Sequence, residues 1–181
     1  MGKRIILIGT VGALLVWWAV NEHYLRGQHR GKGQRPLVID AYAAKVIRPG
    51  DTWMIFLRAE DSDSDMKSIA AVLWQAGVGY YPTEVNMLKP EDARQFSGYF
   101  SMRTPGEFNI NWNELELTLI VRDSQGNGSR PVKLPLTFDM AAAKQEIPEK
   151  WAEAANHRLA ALMVDIESSK FYNRGGNGGS N

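Results

Sequence analysis

The chain has 181 residues, and its 21 lysines and arginines nearly balance its 20 aspartates and glutamates, which leaves a net charge of +1. A charge this close to neutral creates no global field that favours nucleic acid, so we predict no nucleic-acid partner. The absence of cysteine excludes disulfide bonds, thiolate metal sites and cysteine nucleophiles.

Residues 5–20 form an apolar run without a charged side chain. A helix over this run covers about 24 Å of a hydrocarbon core near 30 Å thick. Trp17 and Trp18 suit the headgroup boundary, so the short span is tolerable. A cleaved signal peptide is the alternative, but bulky residues stand where signal peptidase needs small ones. The run predicts an uncleaved signal anchor over residues 1–24 that contacts the membrane through residues 5–20.

The orientation of this anchor cannot be deduced from charge alone. Lys3 and Arg4 precede the run, and four more basic residues come after it between positions 26 and 35. A very short tail before a signal-like run usually stays inside, and the rest of the chain is exported. We therefore predict a single-pass protein with an extracytoplasmic domain, in a bacterial inner membrane facing the periplasm. Residues 25–36 are polar and glycine-rich, which indicates a linker; contact with anionic lipid is the alternative.

From residue 37 the pattern changes to short alternating runs that are typical of β-strands. A proline and a glycine within residues 48–51 predict a turn. The clearest alternation places Leu115, Leu117, Leu119 and Val121 on one face. The predicted strands are 37–42, 52–59, 68–75, 83–88, 98–103, 115–122 and 132–138. Seven short strands in about 100 residues predict a two-sheet sandwich over residues 37–139.

Two motifs resemble the bacterial immunoglobulin-like superfamily, which includes PKD-type, fibronectin-type and cadherin-like sandwiches. An aspartate-rich turn at 60–66 enters a strand that ends in Trp74, and the hairpin 117–138 closes the domain. The resemblance implies an immunoglobulin-like antiparallel β-sandwich with Trp74 as the core aromatic of the third strand. Such modules mostly act as adhesion domains, spacers or assembly contacts. The Gly-Asp-Gly that usually comes after the PKD tryptophan is replaced here by residues 75–79.

The acidic loop is the best candidate for a metal site. Its alternating aspartates can converge carboxylate oxygens on a hard cation such as Ca²⁺, and the last hairpin lies at the same end of a sandwich. A solvated turn is the alternative, because aspartate and serine also favour turns. The candidate ligands are Asp61, Asp63, Asp65, Asp123 and Asn127.

Three aromatic residues next to turns are candidates for a contact surface. Tyr80, Tyr81 and Trp112 can bind a sugar or a protein if they are exposed, or they can pack inside the domain.

The sequence gives little basis for catalysis, since the sandwich region contains no histidine and the chain carries no G-x-S-x-G, P-loop or G-x-G-x-x-G motif. We predict that the protein is not an enzyme.

The residues after the sandwich carry an apolar stripe at helical spacing. Pro148 suits a first helical turn, and the stripe predicts an amphipathic helix over residues 140–172. This helix either packs against the sandwich or docks a partner. Residues 173–181 have nothing to bury and predict a disordered tail. The stripe residues proposed for partner binding are Trp151, Leu159, Leu162 and Ile166.

Together these features predict a mainly β protein held at the membrane. The main functional hypothesis is a non-enzymatic envelope protein whose sandwich and helix contact other proteins in a membrane-associated assembly. It needs no cofactor. The alternative is a calcium-dependent or carbohydrate-binding adhesion module.

Overall fold

A computed structural model describes residues 33–106 and 114–166. Within these ranges the regular secondary structure consists of β-strands and three short 3-10 helices at Pro90–Asp92, Glu149–Trp151 and Ala154–Asn156. The strands are β1 (Leu37–Ala43), β2 (Val46–Ile47), β3 (Thr52–Glu60), β4 (Met66–Gln75), β5 (Gly79–Tyr80), β6 (Glu84–Met87), β7 (Gln95–Arg103), β8 (Leu115–Asp123), β9 (Val132–Phe138) and β10 (Arg158–Leu162).

The strands form two sheets. The first sheet has the order β1-β3-β7-β10, and the second has β2-β9-β8-β4-β5, with β6 paired to β4. An immunoglobulin-like sandwich has A-B-E-D on one sheet and C, F and G on the other. Strands β1, β3 and β7 stand at positions A, B and E, and β4, β8 and β9 stand at C, F and G. The strand order therefore identifies an immunoglobulin-like sandwich, as predicted.

The core lies between the two sheets because side chains alternate across each strand. Trp53, Ile55 and Leu57 of β3 are fully buried there, and Leu117 and Leu119 of β8 face them from the second sheet. Each fully buried aliphatic side chain stabilises the fold by about 1.5–3 kcal/mol. The predicted alternation of β8 is confirmed.

The prediction for Trp74 is wrong. On β4 the inward positions hold Ile69, Ala71 and Leu73, so Trp74 falls on the outer face of the second sheet, where it is half-buried. The core tryptophan is instead Trp53, whose indole N–H donates a 2.7 Å hydrogen bond to the Ala44 carbonyl.

The predicted amphipathic helix is also wrong throughout the described part of its range, residues 140–166. Residues 140–162, which we call the C-terminal strap, contain two 3-10 helices and then β10, which pairs parallel with β7. Strand β10 occupies position D of the immunoglobulin-like order, next to the edge of β7. Pairing there supplies backbone hydrogen bonds that a helix would leave unmade on β7.

The predicted signal anchor (1–24), most of the linker and the predicted disordered tail lie outside the described residues. Across residues 33–106 and 114–166, no helix combines the length and the hydropathy that crossing a bilayer requires.

Candidate functional site

The acidic loop between β3 and β4 folds back on itself. The Ser64 amide donates a 3.2 Å hydrogen bond to the Asp61 carbonyl, and Ser64 has the left-handed φ of 58°. The Asp61 amide donates to the Arg94 carbonyl at 2.8 Å, which holds this residue against the end of β7. As a result Asp61 is only 3% exposed, which is unusual for a carboxylate.

Asp61 and Asp65 form a close carboxylate pair. The Asp65 amide donates to Asp61 Oδ2 at 3.3 Å, and the Ser124 hydroxyl donates to Asp65 Oδ2 at 2.6 Å. The Oδ1 atoms of both aspartates are buried and have no hydrogen-bond partner among the described residues. The pKa of Asp61 is raised, mainly because the carboxyl group is buried and secondly because it contacts the Asp65 side chain. Two such oxygens favour uptake of a cation or a proton.

The other predicted ligands are not brought to this pair. Asp63 Oδ2 accepts a hydrogen bond from the Gln34 amide at 2.6 Å. Asp123 Oδ1 accepts from the amides of Gln125 and Asn127, and Asp123 Oδ2 accepts from the Asn127 side chain at 2.7 Å. These bonds close the β8–β9 loop. Within the described ranges, no group of three or more histidine or acidic side chains is arranged to hold a metal ion.

Sequence reasoning missed Ser124. It reaches the acidic loop because β4 and β8 are neighbours, and the Ser124 amide also donates to the Asp65 carbonyl at 2.9 Å. The only available signal was its position in the loop after β8.

The predicted contact aromatics have different positions. Tyr80 is 44% exposed and pairs across the strands with Trp74 on the outer face of the second sheet. The Tyr81 hydroxyl donates to Gln75 Oε1, and its ring packs against the core. Trp112 lies outside the described residues.

The same outer face carries exposed apolar side chains that the sequence did not single out. Val85 and Met87 of β6 are 59% and 61% exposed, and they lie opposite Ala70 and Ser68 of β4. We call Tyr80, Val85 and Met87 the outer apolar face. Val85 and Met87 point to the same side of β6, and exposed apolar patches are a feature of interaction sites.

The four stripe residues contact their own domain. Trp151 is fully buried, with its ring centroid 5.6 Å from that of Phe56, and the guanidinium of Arg58 lies 5.4 Å from the indole centroid. Leu162 and Ile166 are buried in the main core, and Leu159 is partly buried against it. The sequence left two roles open for these side chains, packing against the sandwich or docking a partner, and the structure shows them packed against the sandwich.

Two polar contacts secure the strap further. The Gln145 side chain accepts from the Met54 amide at 3.2 Å and donates to the Met54 carbonyl at 3.0 Å, so it imitates a neighbouring strand. Lys150 forms a 2.8 Å ion pair with Asp40 of β1. Sequence reasoning missed both residues, since neither pattern nor spacing links them to the first sheet.

A histidine joins the strap to the edge of β7. His157 Nδ1 lies 3.2 Å from the Ser97 carbonyl oxygen, and Nε2 lies 3.4 Å from Oδ1 of Asp92. The Tyr99 amide donates to the His157 carbonyl at 2.9 Å. Asp92 is 5% exposed, and burial raises its pKa while His157 opposes that shift.

No family model matches this chain, and no curated protein matches it. Among solved structures, it is similar to the PKD domain of an M14-like peptidase from the Thermoplasmatales archaeon SCGC AB-540-F20, with 13% identity and a TM-score of 0.41 over 59% of this chain and 97% of that one. It is also similar to the CARDB domain of the PF1109 protein from Pyrococcus furiosus, solved in complex with di-metal ions, with 10% identity and a TM-score of 0.33 over 58% of this chain and 86% of that one. By its own strand order and pairing, the domain is an immunoglobulin-like β-sandwich.

Proposed function

We propose that this chain is a non-enzymatic envelope protein, anchored in the membrane through residues 5–20, whose immunoglobulin-like domain contacts other proteins in a membrane-associated assembly. The domain lies on the extracytoplasmic side of a bacterial inner membrane. The observation that carries the contact role is the outer apolar face, where Val85 and Met87 expose more than half of their surface on one side of β6.

The position of this face suits a contact role. Strand β6 is paired only to β4 in the described sheet, so it lies at the margin of the domain. Apolar side chains held on a paired strand are pre-ordered, which lowers the entropy cost of binding. Catalysis has less support, since the one histidine in the described part of the chain, His157, is engaged by Ser97 and Asp92.

The contact role is tested by photo-crosslinking the full chain in intact membranes from a probe placed at Val85. We expect a crosslink to a second polypeptide that Met87→Glu abolishes. The matched control is Met140→Glu, at a methionine that is 75% exposed between β9 and the first 3-10 helix of the strap. A crosslink that survives Met87→Glu, or that both variants remove equally, contradicts the proposal.

The location is tested separately. Protease added to spheroplasts should digest the domain while the anchor stays in the membrane fraction, and N-terminal sequencing should show that the mature chain keeps residues 5–20. Protection of the domain from protease, or a mature chain that begins after Val20, contradicts the proposed location.

A calcium-dependent module is the second candidate, favoured by the Oδ1 atoms of Asp61 and Asp65, which lack partners among the described residues. Ca²⁺ takes oxygen ligands, chiefly carboxylates and carbonyls, and the Ser124 hydroxyl lies beside the pair. The carbohydrate-binding alternative depends on Tyr80, Tyr81 and Trp112; Tyr81 packs against the core, and Trp112 lies outside the described residues.

The calcium candidate predicts a gain in thermal stability on adding Ca²⁺, about 2.7 kcal/mol at one hundred times the dissociation constant. Asp61→Asn combined with Asp65→Asn should abolish the gain, whereas Asp63→Asn should keep it, because Asp63 is engaged elsewhere. Equal loss in both variants, or no gain in the unaltered chain, refutes this candidate.

A further inference from the structure

His157 stands where the strap becomes β10. Its amide donates to the Ala154 carbonyl at 3.1 Å, and its carbonyl accepts from the Tyr99 amide at 2.9 Å. The backbone of this residue therefore joins the strap to β7 at the point where β10 begins. Its ring lies between β7 and the 3-10 helix Pro90–Asp92.

Both ring nitrogens face oxygen atoms that accept hydrogen bonds. Nδ1 faces the Ser97 carbonyl, which can only accept, and Nε2 faces an Asp92 carboxylate oxygen. A neutral imidazole has one N–H and one lone pair, so it can satisfy one of these two oxygens. The second contact becomes attractive only when a proton is added, either to the ring or to the Asp92 carboxyl.

The loss of this proton is energetically costly because Asp92 is buried. Asp92 is 5% exposed, so water compensates poorly for a carboxylate oxygen of this residue that faces a lone pair. The surrounding charged groups are two cations and three carboxylates. They are Arg58 and Glu60 of β3, Glu153 of the strap, and Lys89 and Glu91 beside Asp92.

We propose that the C-terminal strap is a pH-sensitive latch, closed on β7 while a proton lies between His157 and Asp92 and loosened when that proton is lost. The bond from the Tyr99 amide to His157 weakens first. The neighbouring Trp151 contact with Phe56 weakens next, because the same segment carries it. The latch does not depend on the proposed contact role of the outer apolar face, which belongs to the other sheet.

The sign of the pH dependence is set by proton binding. The closed state binds the proton more tightly than the open state, so closure is favoured at low pH and lost as the pH rises. The test interval runs from about pH 5 to about pH 8, in which histidine side chains ordinarily change charge.

The test is NMR on the full chain in detergent micelles. Hydrogen exchange of the Tyr99 amide is expressed as a protection factor, which removes the intrinsic pH dependence of exchange. We expect this factor to fall about tenfold or more between the two pH values, as the ring-nitrogen shifts of His157 report loss of its proton. The control is the Ser129 amide, bonded to Val121 in the other sheet, which should keep its protection.

Asp92→Asn separates a latch from a merely structural contact. The asparagine amide supplies an N–H to Nε2 without an added proton, so Tyr99 should stay protected at both pH values. His157→Gln should weaken the pH dependence, because glutamine does not titrate and only the Asp92 carboxyl remains to bind the proton.

Equal Tyr99 protection at both pH values in the unaltered chain overturns the proposal, as does pH dependence that persists in Asp92→Asn. If that variant does not fold, the unaltered chain decides. Tyr99 protection and His157 ring protonation must then share one midpoint, and separate midpoints overturn the latch.

Discussion

Gly98 of β7 is the position where a single methyl group should detach β10. A Cβ placed at this glycine lies 2.6 Å from the His157 carbonyl oxygen and 2.8 Å from Leu159 Cγ. The first neighbour is main chain, so it cannot rotate away as a flexible side chain can. Strand β10 thus reaches β7 only because residue 98 has no side chain.

The magnitude of the Gly98→Ala effect can be worked out from these contacts. The distance to the carbonyl oxygen is roughly 0.8 Å short of an ordinary contact, so the strands must separate. Overpacking of this kind costs about 1–3 kcal/mol. The Tyr99–His157 hydrogen bond, 2.9 Å long, is lost with the separation and contributes about 0.5–1.5 kcal/mol. We expect the free energy of unfolding to drop by about 2–4 kcal/mol.

The assay is urea unfolding of the full chain in detergent, monitored by far-ultraviolet circular dichroism, with hydrogen exchange at Tyr99 as the local readout. The matched control is Gly106→Ala, because a Cβ at Gly106 meets nothing within 4 Å among the described residues. If Gly98→Ala and Gly106→Ala unfold at the same urea concentration, or if Tyr99 keeps its protection in Gly98→Ala, then the close approach of β10 to β7 at Gly98 is not what holds the two strands together.

Substitutions at three further positions test the strap and the acidic loop. Trp151→Ala should lower the free energy of unfolding by about 3–5 kcal/mol because of the cavity it leaves. Trp151→Phe should lower it much less, because the buried indole N–H has no hydrogen-bond partner among the described residues. Denaturant midpoints measure both changes. Gln145→Leu removes both bonds to the β3 main chain and should raise hydrogen exchange at the Met54 amide, and an unchanged rate would argue against the imitation of a strand. The folded state raises the pKa of Asp61, so the stability that its bound proton contributes is fully present below the ordinary pKa of 3.8 and is lost as the pH rises through the raised pKa. The melting temperature in calcium-free buffer should therefore fall over that pH interval. It should fall less steeply in Asp61→Asn. A residual slope of the same sign is expected from Asp92, whereas equal slopes in both proteins would contradict the assignment to Asp61.

Local pattern predicted most of the sandwich. All seven predicted strands are present, and their bounds differ from those of the structure by at most three residues. The predicted turn at 48–51 is closed by the Asp51 amide and the Arg48 carbonyl, with Gly50 at a φ of 88°. Alternation and turn chemistry act over a few residues, so they can be read without knowing the partner strands.

Which face of a strand is inside was harder to predict. Strand β4 is apolar on both faces, so periodicity could not choose between Leu73 and Trp74 for the core, and the pairing with β8 and β5 decided it. The acidic loop shows the same limit. Asp123 and Asn127 satisfy each other within their own loop, while Ser124 reaches Asp65.

The sequence by itself determined the short strands, their turns and the sandwich class, because those features depend on neighbours a few residues apart. Only the tertiary structure decided the conformation of residues 140–162. Their apolar spacing suits a helix, but the open edge of β7 and the Phe56 ring supply backbone bonds and a buried position for Trp151 that no local pattern can represent. Where a long-range partner offers both, it outweighs the modest free energy of helix propensity.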